Sequence, residues 1–278
     1  MPTILITGCS SGYGLETARL FHARGWSVVA TMRRPDPALL PASDRLRLVA
    51  LDVGEPASIA AAVAEAGPID VLVNNAGIGL FGAAEATPMA TVREVFETNT
   101  FGVIAMCRAV IPAMRARGAG RIVNVTSSAT LAPMPLVSVY TASKAAVEGY
   151  TASVEHELRA VGLRVKLVEP GYGPGTRFTA NGQQRMAGLV PPAYAAFAQT
   201  MLGSLAKVTA FTQPQDVAEA VWEAVHDDSA RLRHAAGADA VAGAWGRPAA
   251  APGRSRGPSA GGRRAGRAAG GSAGSRRG

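Results

Sequence analysis

The chain has 278 residues, 48% hydrophobic and 17% charged, a composition that allows a sizeable buried core and excludes an intrinsically disordered protein. No apolar run approaches the roughly 20 residues of a membrane-spanning helix, no signal-peptide pattern opens the chain, and two cysteines, Cys9 and Cys107, argue against a disulfide framework. We therefore expect a cytoplasmic protein with no membrane span.

The formal net charge of +8 belongs to one end of the chain. From Arg247 onward there are eight arginines and no acid, which leaves 20 basic and 20 acidic residues in the remainder. The Gly/Ala/Pro/Arg composition of residues 246–278 predicts a disordered tail. We favour a solvated extension over a nonspecific arm for nucleic acid or an anionic surface, and expect no specific nucleic-acid partner.

Apolar runs alternate with helical patterns along residues 1–245. The predicted strands are 3–7, 27–32, 46–51, 69–74, 121–126 and 163–168, and the predicted helices are 13–24, 56–66, 88–116 and 138–161. This alternation predicts one α/β domain, a doubly wound parallel sheet with helices on both faces. A further helix is expected near 213–227, where Thr212 and Gln215 fit a capping box.

The segment TGCSSGYG, residues 7–14, follows the first apolar run and places Gly8, Gly12 and Gly14 between a strand and a helix. Backbone N–H groups at a helix start, with the positive end of its dipole, suit a pyrophosphate. The spacing differs from the G-x-G-x-x-G dinucleotide fingerprint. By itself the segment is compatible with a cofactor loop or with a flexible turn.

Polar groups follow two later strands and open a long helix. Residues 74–77 read NNAG at the end of the fourth strand, and Ser127 follows the fifth. Tyr140 and Lys144 are four residues apart and share one helical face. A phenol with a pKa of about 10 is a poor base at neutral pH, and a nearby ammonium favours the phenolate. We therefore expect Lys144 to lower the pKa of Tyr140.

These features are more specific together than singly. In one order and at suitable spacings the sequence contains Thr7-Gly8-x-x-x-Gly12-x-Gly14, Asn74-Asn75-Ala76-Gly77, Asn99, Ser127, Tyr140-x-x-x-Lys144 and Pro170-Gly171. The chain thereby resembles the short-chain dehydrogenase/reductase family over roughly residues 1–245. The resemblance implies a Rossmann-like fold, a nicotinamide cofactor, and a homodimer or homotetramer formed through helices 88–116 and 138–161.

The resemblance also implies a role for each catalytic candidate. Tyr140 would be the general acid/base that exchanges a proton with the substrate oxygen, and Lys144 would lower its pKa and hold the nicotinamide ribose. Ser127 would orient the carbonyl, with Ser128 less suitable by spacing. Asn99 would support a proton-relay water near Lys144. We expect no metal in this site.

The expected cofactor contacts follow the same resemblance, with Asp52 on the adenine and Asn75 along the adenosine. In full they are Gly8, Ser10, Ser11, Gly12, Tyr13, Gly14, Arg33, Asp52, Val53, Asn75, Ala76, Gly77, Tyr140, Lys144, Pro170 and Gly171. Two positions depart from the family pattern: Tyr13 stands where a small aliphatic residue is usual, and Thr176 comes slightly later than the usual threonine.

The end of the second predicted strand bears on the choice of nicotinamide cofactor. An acidic residue about 20 positions after the glycines would accept a hydrogen bond from the ribose 2′-hydroxyl. Here Arg33 and Arg34 follow Met32 instead, and guanidinium groups suit a phosphate. We predict NADP, with NAD as the less favoured cofactor.

Apolar side chains flank the predicted site and indicate an apolar ketone, aldehyde or alcohol. They are Leu131, Met134, Leu136, Val137, Tyr172, Phe178, Met186, Leu189, Val190, Tyr194, Phe197 and Met201. The alternative interpretation is that these side chains are apolar because they pack a lid, residues 172–206, onto the rest of the domain. The segments SSGYG and ATMRR resemble the branch of the family that acts on steroids, retinoids or similar lipids. The alternatives are a non-catalytic dinucleotide-binding sensor on the same fold, and an epimerase or dehydratase, whose T-G-x-x-G-x-x-G loop is not found here.

Overall fold

The computed structural model of the chain describes residues 1–40, 43–174, 176, 182 and 185–241. The tail predicted over residues 246–278 and the lid residue Phe178 lie outside these ranges.

A seven-stranded parallel sheet forms the centre of the described residues, in the order β3-β2-β1-β4-β5-β6-β7. Its strands are β1 Thr3–Ile6, β2 Ser27–Met32, β3 Leu46–Ala50, β4 Val71–Asn74, β5 Arg121–Val125, β6 Arg164–Pro170 and β7 Arg233–Ala236. In the register, Leu5 of β1 lies opposite Val29 on one side and Leu72 on the other. The predicted α/β class and parallel sheet are confirmed.

Helices cover both faces of the sheet because its central strands are apolar on both. They are α1 Gly12–Ala23, α2 Pro56–Ala66, α3 Met89–Phe96, α4 Gly102–Arg117, α5 Ser138–Ala160, α6 Pro192–Leu205, α7 Pro214–His226 and α8 Ala238–Val241. On β1, Ile4 and Ile6 join the core under α1 and α7, whereas Leu5 joins the core under α2, α4 and α5. Such two-sided burial is what a doubly wound sheet requires. No helix in the described ranges has the length and apolarity needed to cross a membrane.

Two elements differ from the sequence prediction. The strand β7 was not predicted because its residues, RHAA, form no apolar run; it pairs with β6, where Val168 lies opposite His234. The single helix expected over 88–116 is α3 and α4 joined by a π-helical turn, Glu97–Phe101. Such turns are rare and occur often at functional sites.

The capping box predicted for α7 from Thr212 and Gln215 is wrong by one residue. The N-cap is Gln213, which forms a reciprocal pair of hydrogen bonds with Asp216. The Gln213 side chain accepts from the Asp216 backbone N–H, and the Gln213 backbone N–H donates to the Asp216 carboxylate over 2.8 Å. Thr212 is buried and its hydroxyl lies 3.0 Å from the Ala236 carbonyl oxygen. That hydroxyl is engaged by β7, so the next residue caps the helix.

Candidate active site

The candidate site lies at the carboxyl edge of the sheet, at the boundary between β1 and β4. The strand order reverses there, since β2 and β3 continue on one side of β1 and β4 to β7 on the other. Open α/β sheets bind ligands in the crevice that such a reversal leaves. The loops after β1, β4, β5 and β6 all open at this edge.

Steric contacts explain why glycine occupies positions 8 and 14 of the loop after β1. Gly8 has a φ of 78°, a conformation that favours glycine, and a Cβ there would lie 2.8 Å from the Cα of Ala76. A Cβ on Gly14 would lie 2.5 Å from both the Asn75 Nδ2 and the Gly8 carbonyl oxygen. Helix α1 begins at Gly12, and its first N–H groups lack intrahelical acceptors. Bare backbone at the positive end of a helix fits the phosphates of a dinucleotide.

Thr7 and Asn75 tie this loop to the loop after β4. The Thr7 hydroxyl oxygen accepts hydrogen bonds from the backbone N–H groups of Asn75 and Ala76 over 3.0 and 2.9 Å. The Asn75 side chain donates to the Thr7 carbonyl over 2.9 Å. The Asn75 side chain therefore holds the backbone of the neighbouring loop in place. Its expected place along the adenosine stays a prediction.

Asn99 lies in the π-helical turn and is fully buried. Its side chain accepts from the Ile78 N–H over 2.8 Å and donates to the Ile78 carbonyl over 2.9 Å and to the Ser143 hydroxyl over 3.0 Å. A Cβ on Gly77 would lie 3.3 Å from the Asn99 Oδ1 and 3.4 Å from the Lys144 Nζ. The sequence-predicted Asn99, Gly77 and Lys144 are thus neighbours in space.

Ser127, Tyr140 and Lys144 also converge. Ser127 follows β5 as the N-cap of a short 3-10 turn over 128–130, and a hydrogen bond joins it to Tyr140 near the start of α5. Lys144, one turn further along α5, is buried and donates from Nζ to the Val125 carbonyl over 2.9 Å. The hydroxyl of Ser127, the phenol of Tyr140 and the ammonium of Lys144 therefore belong to one cluster at the carboxyl edge.

The pKa of Tyr140 lies above that of a solvated tyrosine, and the expected lowering by Lys144 stays a prediction. Burial raises the pKa of Tyr140 to about 12, and the hydrogen bond from Ser127 opposes this. Burial also lowers the pKa of Lys144 to about 8, since removal from water disfavours every charged form. At neutral pH the pair therefore holds a neutral phenol beside an ammonium.

The loop after β6 is held by an acidic residue that the sequence did not single out. Asp239 of α8 is fully buried, and its carboxylate accepts from the Tyr172 N–H over 2.5 Å and from the Thr212 hydroxyl over 2.7 Å. A Cβ on Gly171 would lie 2.1 Å from that carboxylate. The sequence signal was slight: Asp239 is the last acid in the chain, within an otherwise uncharged run over 235–246.

Tyr13 reaches from the glycine loop to this same β6 loop. A Cβ on Gly173 would lie 2.1 Å from the Tyr13 hydroxyl oxygen. Burial, followed by the charges of Tyr140 and Asp239, raises the pKa of Tyr13. The ring that replaces the usual small residue therefore packs against the loop after β6, close enough to Tyr140 for an electrostatic interaction.

The remaining predicted contacts lie along the same edge. Arg33 is exposed directly after β2, and Ser10 and Ser11 precede α1. After β3, the Asp52 carboxylate accepts from the Gly54 N–H over 3.0 Å, and Val53 is buried. Their contacts with a cofactor stay predictions.

Comparison with known proteins identifies relatives of this architecture. The family model described as short chain dehydrogenase matches residues 2–186. The 3-ketodihydrosphingosine reductase of Bacteroides thetaiotaomicron is 40% identical over 182 residues, 64% of this chain and 66% of that protein. Human retinol dehydrogenase 8 is 40% identical over 180 residues, 61% of this chain and 58% of that protein. The chain thus matches somewhat less than two thirds of the length of these two curated relatives.

A solved structure agrees with the fold. The closed form of serine dehydrogenase complexed with NADP+ superposes with a TM-score of 0.70 at 31% identity, covering 83% of this chain and 93% of that one.

Gly14→Ala tests the glycine loop. The added methyl group would displace the Asn75 amide or the Gly8 carbonyl, and overpacking of this kind costs about 1–3 kcal/mol. We expect the dissociation constant for NADPH, measured by fluorescence titration, to rise at least about tenfold. Gly203→Ala in α6 is the matched control, because a Cβ there meets nothing within 4 Å. Equal NADPH affinity in both variants would contradict the assignment.

Proposed function

The chain belongs to the short-chain dehydrogenase family, and we propose that it is an NADP-dependent oxidoreductase that interconverts a carbonyl and an alcohol on an apolar small molecule. The observation that carries this proposal is the convergence of Ser127, Tyr140 and Lys144 beside the glycine loop. The loop fits a dinucleotide, and the three side chains fit proton exchange with an oxygen.

The protein's own groups hold and move the proton. When bound, the nicotinamide ring supplies or accepts a hydride. In reduction, the Tyr140 hydroxyl gives its proton to the substrate oxygen, which the Ser127 hydroxyl orients. The Lys144 ammonium stabilises the phenolate left behind, because opposite charges attract strongly where water is excluded. In oxidation the same phenolate takes the proton from the alcohol.

The residues around the predicted ribose site support NADP. Arg33 and Arg34 are exposed directly after β2, where they are available to a 2′-phosphate. The nearest acid in sequence, Asp36, accepts from the Ala38 N–H over 3.0 Å and serves a local turn. The guanidinium groups of Arg33 and Arg34 favour the phosphorylated cofactor. The Glu94 carboxylate also interacts with the Arg33 charge, but its hydrogen-bonded ion pair is with Arg185.

Two apolar clusters beside Tyr140 support an apolar substrate. In the first, Tyr140 packs with Leu80, Val95 and Leu189. The second is formed around Leu136 by residues of the loop after β4 and of α6; its buried members are Ala83, Leu136 and Ala198, with Phe81, Tyr194 and Met201 packed against them. The names of the two curated relatives, a ketodihydrosphingosine reductase and a retinol dehydrogenase, favour a lipid-like ketone, aldehyde or alcohol.

Tyr140→Phe tests the proposed activity. The variant lacks the hydroxyl that exchanges the proton, and loss of a general acid typically lowers the rate about 10²–10⁴-fold. The measurement is the absorbance of NADPH in a screen of apolar ketones and aldehydes, with kcat compared between wild type and variant. Tyr150→Phe is the matched control, since Tyr150 lies on the same helix but packs in the core under α2 and α4. A kcat of Tyr140→Phe within about tenfold of the wild-type value would contradict the mechanism.

The same screen separates an enzyme from a sensor. A non-catalytic sensor would bind NADPH and turn over none of the carbonyls, and NADPH binding by Tyr140→Phe would then match the wild type.

Arg33→Ala tests the cofactor preference. Hydrogen bonds to charged groups contribute about 1.5–3 kcal/mol, so we expect the KM for NADPH to rise at least about tenfold and that for NADH to stay unchanged. Arg159→Ala is the matched control, because it removes the same charge from the last turn of α5, next to the amino edge of the sheet and away from the predicted cofactor site. A wild-type preference for NADH, or an equal effect of both substitutions, would contradict the NADP assignment.

A further inference from the structure

Glu148 is a buried acid on α5, one turn beyond Lys144, that the proposed proton exchange does not use. It is 8% exposed, and its carboxylate accepts a hydrogen bond from Arg233 of β7 over 2.8 Å. Arg233 also donates to Glu169 of β6, which is 3% exposed. A charge withdrawn from water is costly unless it is paired, and here one guanidinium pairs with two carboxylates.

A second contact joins Glu148 to the turn that carries Ser127. The Thr130 hydroxyl in that turn lies within hydrogen-bonding distance of the Glu148 carboxylate, and 2.7 Å from the Ser127 carbonyl oxygen. The single hydroxyl proton is shared between these two acceptors. Glu148 therefore fixes the distance between α5, which holds Tyr140, and the turn that positions Ser127.

The third relation is electrostatic. Residues four apart on a helix are neighbours on one face, and the Glu148 charge raises the pKa of Lys144 against the larger effect of burial. The Lys144 Nζ otherwise donates to a neutral acceptor, the Val125 carbonyl. Glu148 thus supplies negative charge next to an ammonium that burial destabilises.

We propose that Glu148, held by Arg233 and Thr130, is a positioning residue that keeps Lys144 an ammonium and sets Ser127 against Tyr140. The effect of Glu148 on catalysis rests on the proposed function. Its effect on the protonation state of Lys144 does not, because that state can be measured without cofactor or substrate. Glu148 acts through Lys144 and the Ser127 turn.

The direction of the pH effect follows from the groups around the pair. Lys144 faces Tyr140 and Glu148 on its own helix; Glu148 faces Arg233 of β7, and through it Glu169 of β6. The ammonium is present below the Lys144 pKa of about 8 and is lost as pH rises through it. Removal of the Glu148 charge lowers that pKa further, so the ammonium is lost at lower pH.

The chain offers a direct measurement because its lysines are Lys144, Lys166 and Lys207. NMR titration of ¹³Cε-labelled lysine gives one signal for each, and Lys144→Met assigns the relevant one. We expect Glu148→Gln to lower the Lys144 pKa by about one unit, with Lys207 unchanged. Glu157→Gln, at an exposed position of the same helix, is the matched control and should leave Lys144 unchanged. In carbonyl reduction, the alkaline limb of the pH profile of kcat should shift to lower pH by the same number of pH units as the Lys144 pKa.

A Lys144 pKa equal in wild type and Glu148→Gln would overturn the proposal, as would a kcat profile of Glu148→Gln that matches the wild type at every pH. If Glu148→Gln fails to fold, Glu148→Asp replaces it, because this variant keeps the carboxylate but shortens the side chain by one methylene. Glu148→Asp should lower the Lys144 pKa by less than one unit. An unchanged Lys144 pKa in this variant would count against the role of Glu148. The titration needs no cofactor or substrate. A shifted Lys144 pKa in a protein without carbonyl turnover would therefore refute the proposed function and leave this role of Glu148 intact.

Discussion

Withdrawal from water, nearly complete for Lys144 and partial for Tyr140, is the constraint on which the candidate site depends. It raises the pKa of the phenol to about 12 and lowers that of the ammonium to about 8. At neutral pH both groups are protonated, which is the form that gives a proton to a carbonyl oxygen. A phenolate becomes accessible only when positive charge offsets the burial, and Lys144 is the cation that α5 provides one turn away. In the proposed mechanism, the position and charge of Lys144 therefore decide how readily Tyr140 exchanges its proton.

The fold produces this burial by joining the loops at the carboxyl edge through polar side chains. Thr7 and Asn75 bind the loops after β1 and β4 to one another. Asn99 ties the π-helical turn to Ile78 and to Ser143 of α5, and Asp239 holds the loop after β6. Each contact satisfies a buried polar group, as a water-poor interior requires, and each also fixes a loop at the carboxyl edge of the sheet.

The sheet and the identity of the catalytic cluster could be predicted from the sequence, because they depend on local patterns. Apolar runs predicted six of the strands, and Ser127, Tyr140 and Lys144 were predicted from the resemblance that the combined motifs carry. Features that depend on tertiary contact were not predictable. β7 forms because β6 offers it an edge, Gln213 caps α7 because β7 engages Thr212, and Asp239 is remote in sequence from the loop it holds. The net rise of the Tyr140 pKa was not predictable either, because the i, i+4 spacing shows a neighbouring charge but no loss of water.

The protonation state of Tyr140 tests this account most directly. The five tyrosines are Tyr13, Tyr140, Tyr150, Tyr172 and Tyr194, and NMR titration of ¹³Cζ-labelled tyrosine follows each phenol, with Tyr140→Phe as the assignment. The account predicts that the Tyr140 phenol of the ligand-free protein stays neutral at about pH 10.5, where a solvated tyrosine of pKa about 10 is mostly ionised. A Tyr140 phenol that titrates at or below the pKa of a solvated tyrosine would contradict it.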